Sequence, residues 1–116
     1  MTSVSATCAR IETAATHILT LTEGLEAEEF QHSRLTRQET RRQLLLLTQA
    51  LSELPNSTRQ QMSELDWDAW AHIVQQLDAT AEQQHEALWF ATRSLTPATL
   101  MWLRFYRERH PELFAA

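Results

Sequence analysis

At 116 residues the chain has the length of one domain, able to bury about two-thirds of its unfolded surface without metal or disulfide support, and its single glycine, three prolines and strong helix formers favour an all-α fold over hairpins. Its ten basic residues, all arginine, stand against fifteen acidic ones for a formal net charge of -5, which argues against a broad non-specific nucleic-acid binder. Cys8 has no second cysteine to pair with, and no unbroken apolar run reaches signal-peptide or membrane-span length, so the expectation is a soluble, cytoplasmic protein.

Val4, Cys8, Ile11, Ala15, Ile18, Leu21 and Leu25 recur at three- and four-residue steps and predict a long amphipathic helix, with Gly24 as its C-cap. The interleaved threonines lower its intrinsic propensity, so packing must hold it. Glu26 to Ser33 reads as a short acidic turn whose Phe30 plugs the core. Thr36 and Glu39 have capping-box spacing and predict the start of a second helix that runs through Leu44 to Leu47 and stops at Leu54 before Pro55. Four consecutive leucines cover more than one face, which suits a helix buried on several sides or one meeting a second subunit. Asn56 or Ser57 then caps a brief helical piece through Met62.

The stretch from Leu65 to Ala81 is the predicted centre. Asp66 caps it, Asp68 suits the positive end of the helix dipole, and Trp70, Ile73, Val74, Leu77 and Ala81 recur on one face. Leu88, Trp89 and Leu95 mark the next apolar side, with Phe90 at its edge. Thr96 and Pro97 form an N-cap and first-turn pair for a last helix that ends near His110. Trp67, Trp70, Trp89, Phe90, Trp102, Phe105 and Tyr106 exceed what one inward stripe needs. Trp70, Trp102, Phe105 and Tyr106 are the candidate subunit interface. The expected architecture is a single domain, 1–116, built as an antiparallel helical bundle of four main helices plus short additions.

In order and separation these landmarks resemble the HepT-like branch of the HEPN superfamily, small helical-bundle proteins that include toxin ribonucleases. Ile11 to Phe30 is similar to that family's first helix with its Gly-Leu and acidic-Phe turn. Leu54-Pro55 and Leu65-Asp66-Trp67 are similar to its Leu-Pro and hydrophobic-polar-Trp landmarks, and Leu88-Trp89 with Leu95-Thr96-Pro97 to its late Val-Trp and Leu-Pro landmarks. The resemblance implies a homodimer with paired sites at its interface. It also implies metal-independent RNA cleavage, in which an arginine, then a histidine four to six intervening residues later, sit on the helix that Trp67 begins. Histidine would handle the proton as a ribose hydroxyl attacks the adjacent phosphate, and guanidinium would stabilise the charge. Carried across from Trp67, however, the arginine position falls at Val74 and the histidine position at Ala79. The family's tyrosine, a target for adenylylation by a partner nucleotidyltransferase, falls near Ala81. The resemblance thus implies a catalytically degenerate, dimeric interaction module, a component of a toxin and nucleotidyltransferase-antitoxin pair, with no cofactor and RNA as a ligand only if cleavage persists elsewhere.

Two other constellations compete with a reading as solvated or packed side chains. Arg104 and His110 restore the arginine and histidine spacing on the last helix, as a relocated nuclease site. Glu29 with His32 and Glu82 with His85 repeat the Glu-x-x-His spacing of di-metal bundles, for which Glu12, Glu53 or Glu64 could supply further ligands; no metal ligand set is assigned on that spacing alone. Cys8 on the apolar stripe reads as packing, His17 and His72 as boundary residues, and the arginine clusters at 34–42 and 104–109 as solvated, salt-bridged faces.

Overall fold

The computed structural model describes residues 3–77 and 81–115, without the side chains of 81–83. Helix α1, Val4–Thr22, starts at Ser3, whose hydroxyl accepts the Ala6 amide at 3.0 Å. It ends where Gly24 takes a positive φ of 77°, a conformation that glycine adopts without steric cost. The core stripe drifts at the C-terminal end: Thr22 is buried and donates its hydroxyl to the Ile18 carbonyl at 2.8 Å, while Leu21 faces solvent.

The acidic stretch after α1 is a helix rather than a turn. In α2, Ala27–His32, the Glu29 carboxylate accepts the Glu26 amide at 3.1 Å, so a carboxylate three residues on closes the first turn. Phe30 is fully buried from this helix, as its isolation among acids predicts. The expected box at Thr36 and Glu39 is not formed. Helix α3, Arg34–Glu53, begins three residues earlier from Ser33, whose hydroxyl meets that of Thr36 at 2.7 Å; Glu39 instead holds Arg42 at 2.6 Å. Leu44 and Leu47 are buried and Leu45 and Leu46 exposed, so the leucine run covers two faces.

Three pairings fix α1 against α3. Arg10 forms a two-pronged ion pair with Glu53, Ala14 and Leu46 line one shallow groove, and His17 sits near enough to Glu39 to act on its charge. Residue numbers rise on one helix as they fall on the other, so the two run antiparallel. Leu54 and Pro55 turn the chain into α4, Asn56–Gln61, with Pro55 rather than Asn56 or Ser57 at its cap. Helix α5, Trp67–Gln76, follows. Its stated continuation to Ala81 crosses residues 78–80, outside the described ones.

Helix α6, Ala81–Phe90, and α7, Thr96–Arg109, are one continuous helical path through a π-helical segment, Ala91–Leu95. Here the sequence expectation is corrected, because Thr96 is no N-cap. It already has helical φ and ψ, and its amide bonds the Ala91 carbonyl five residues back. Pro97 has no N–H for the Arg93 carbonyl and its ring would press on that oxygen in a regular α-helix. Widening the preceding turn relieves the contact and keeps the path unbroken. Beyond His110 a 3-10 turn, Pro111–Phe114, packs Leu113 and Phe114 back onto the core. The result is an all-α bundle whose four principal helical paths are α1, α3, α5 and α6 with α7; among the described residues there is no strand and no helix long and apolar enough to cross a membrane.

Candidate functional site

The start of α5 is fixed from several directions. Asp66 accepts the Ala69 amide at 3.0 Å, as its position predicts. Just before it, the Glu64 amide donates to the Tyr106 hydroxyl at 3.1 Å, tying this connection to α7. Burial holds the Tyr106 phenol protonated, its pKa raised to about 12. Trp70, only 3 % exposed, donates its indole N–H to the Thr99 hydroxyl of α7 at 2.9 Å, a buried polar group satisfied inside the subunit. Trp67 donates to the Met62 carbonyl at 3.1 Å and stays partly open, with the Arg59 guanidinium 4.8 Å above its ring.

Between α3, α4 and α5 these contacts leave an open groove of about 290 Å³. Leu51 and Trp70 form its floor, Trp67 and Val74 its apolar wall, and Arg59 and Gln75 reach its rim. The arginine position implied by the resemblance, Val74, is thus 45 % exposed on an apolar wall. Ala79, the implied histidine position, lies outside the described residues, and no side chain is described for Ala81.

The relocated pair is not brought together as a site. Arg104 is exposed on α7, whereas His110 is beyond the last helical residue, with φ of -135°. The His110 ring instead lies by Glu112, 3.2 Å away, and packs near Tyr106. The carboxylates nominated for a di-metal centre are engaged elsewhere. Glu12 meets Arg107 at 2.7 Å, Glu53 meets Arg10 at 2.8 Å, and Glu64 accepts the Ser63 hydroxyl at 2.8 Å. Their partners draw the Glu53 and Glu64 carboxyls below the usual carboxylate range, through Arg10 and through Ser63 with Tyr106 respectively. His32 is turned onto the Glu28 carbonyl, and the Glu82 side chain is not described. Among the described residues no three potential metal ligands converge.

Cys8 is fully buried, and burial raises its thiol to about 11, so it is a packing residue that is protonated at neutral pH. His17 and His72 lie at the surface. Of the four aromatic residues assigned to a subunit interface, two are corrected: Trp70 and Tyr106 are inside the subunit, each held by a hydrogen bond, and have almost no surface to offer a partner. Trp102 is half-buried, and Phe105 is exposed beside it with ring centroids 5.4 Å apart, edge to face. Met101, one turn before Phe105, is the most exposed of this group at 56 %.

Arg59 is the site residue that sequence reasoning misses. It stands eight residues before Trp67, across a helix end and a loop, so no helical period links the two. No protein-family model, no curated protein and no solved structure matches this chain.

Proposed function

We propose that the chain is a dimeric interaction module of HepT-like descent whose central helix binds rather than cuts, and that two copies meet through the outer face of α7. The observation that carries the proposal is the apolar surface of that helix. Met101 and Phe105, four residues apart, stand exposed on one helix face, and the half-buried Trp102 packs edge to face against Phe105 at its margin. Such a surface is favourably covered by an identical one, since a two-fold axis presents the same patch to itself. The exposed Val74 on α5 supports the degenerate reading, because a valine supplies neither the proton transfer nor the charge that RNA cleavage needs. By resemblance, the module's partner is a nucleotidyltransferase of the antitoxin kind.

The test is incubation with structured and single-stranded RNA in excess chelator, scored by product ends, for the natural chain and for Arg104→Ala and His110→Ala. The reading expects intact RNA throughout. Cleavage by the natural chain that disappears in either variant would overturn it and assign catalysis to the last helix.

A further inference from the structure

The groove between α3, α4 and α5 combines an aromatic floor with one cation, Arg59, whose hydrogen-bonding capacity is not met among the described residues. The indole and hydroxyl groups of its lining are occupied. The indole N–H of Trp67 and that of Trp70 are given to Met62 and Thr99, and the hydroxyls of Thr48 and Ser52 are turned onto the Leu45 and Gln49 carbonyls of their own helix. Arg59 differs. Among the described residues, the arginine ion pairs join Arg10 to Glu53, Arg42 to Glu39 and Arg107 to Glu12, and Arg59 is in none of them. Among the described residues its guanidinium makes no hydrogen bond or ion pair and lies over the Trp67 ring. The cation–π contact, 4.8 Å from the Trp67 ring centroid, offers no oxygen acceptor to the five N–H donors that a guanidinium carries. Among the described residues no acidic side chain lines the groove, although the chain as a whole is acidic.

From this we infer a binding site for a small amphipathic monocarboxylate, an aryl or short alkyl group ended by a carboxylate. The apolar part lies on Trp70, Leu51 and Val74, and the carboxylate takes the planar fork of Arg59, with the Gln75 amide as a second donor. The volume of about 290 Å³ suits one such molecule and not a folded peptide segment with its side chains. This site goes beyond the interaction-module reading and does not depend on it, because its lining comes from one subunit.

The test uses 3-phenylpropionate, its neutral amide and acetate as probes of the full chain, followed through the indole N–H signals of all four tryptophans by NMR. A saturable shift of the Trp67 and Trp70 signals is expected with 3-phenylpropionate, with a dissociation constant on the order of millimolar for so small a ligand. The amide should bind about five- to tenfold more weakly and acetate should give no saturable shift. Arg59→Gln should bring the carboxylate down to the affinity of the amide. Arg59→Lys, which keeps the charge without the planar fork, should fall between the two. Ala71→Phe, on the exposed groove wall, should abolish both, and a retained Trp70 signal reports that each variant is folded. Equal affinity for acid and amide in the natural chain would overturn the inference. So would an unchanged preference in Arg59→Gln, shifts spread equally over Trp89 and Trp102, or no saturation by about 20 mM probe, well above the millimolar range expected for a ligand of this size. Sedimentation reads the assembly separately, so a monomeric chain that binds the carboxylate refutes the dimer and leaves this site standing.

Discussion

Where α1 and α3 lie side by side, Cys8, Ile11, Ala15 and Ile18 on one helix and Leu44, Leu47 and Ala50 on the other have no solvent exposure, and Arg10 and Glu53 pair across the rim. The corner between α3 and α5 mixes Leu51, Trp67, Trp70 and Val74 with Thr48, Ser52, Arg59 and Gln75 and leaves a groove. The difference lies in side-chain shape and register as well as in polarity. Two long helices with small and branched residues at three- and four-residue steps interdigitate along their length, whereas the short α5 meets α3 through large, flat indoles that must also reach hydrogen-bond partners. Trp70 reaches inward to Thr99 and closes the core; Trp67, three residues earlier, reaches back to Met62 and leaves its ring face for Arg59.

Breaking the packed side should have the largest effect. Leu47→Ala removes a fully buried side chain from a place with little room to collapse, and should lower stability by roughly 2–5 kcal/mol in urea denaturation. At the groove floor, Trp70→Phe keeps most of the apolar volume and loses one buried hydrogen bond, leaving the Thr99 hydroxyl without its donor; a cost of about 1–3 kcal/mol is expected. Adding Thr99→Val to that variant should cost less than the sum of the two single changes, since both remove the same bond.

The smallest effect sharpens the comparison at the surface. Glu39 is held by Arg42, then by Gln43, at a pKa of about 2, below its ordinary value. A carboxylate with a lowered folded-state pKa stabilises the fold above the unfolded value near 4.5, and that contribution is lost as pH falls towards 2. Glu39→Gln should flatten the pH dependence of stability in that window and leave it unchanged near neutrality apart from a small offset. At the other extreme Cys8 and Tyr106, whose pKa values are raised to about 11 and about 12, make stability fall as pH rises from about 9 through those values, because the unfolded chain gives up these protons first. Thermal denaturation across the two limbs reads both.

What was legible in the sequence is what is decided locally or by period. Asp66 names the start of α5 because a cap needs only its own next turn, and the stripe through Cys8, Ile11, Ala15 and Ile18 names the buried face of α1 because helical spacing alone sets it. Thr96 and Pro97 mislead for a related reason. Threonine before proline is the same local signal whether a helix starts there or an existing helix widens to admit the ring, and only the continuity from α6 distinguishes the two. Thr36 with Glu39 has box spacing but cannot close one, because α3 has already begun at Arg34 and Thr36 lies inside its first turn. Burial of Trp70 and Tyr106 could not be separated from exposure of Met101 and Phe105 by periodicity, since aromatics surround most of α7 and the partners Thr99 and Glu64 lie far away in sequence. Arg59 was invisible for the same reason: its setting depends on how α4 folds over Trp67.

Sedimentation equilibrium of the natural chain and of Phe105→Glu, at micromolar concentration and moderate salt, tests the central claim most directly. The account predicts a species of twice the 13.5 kDa protomer mass for the natural chain and a folded monomer for the variant, since a carboxylate on the exposed α7 face would have to be desolvated in the interface. A natural chain that sediments at 13.5 kDa throughout, or a Phe105→Glu variant that remains fully dimeric, would contradict it.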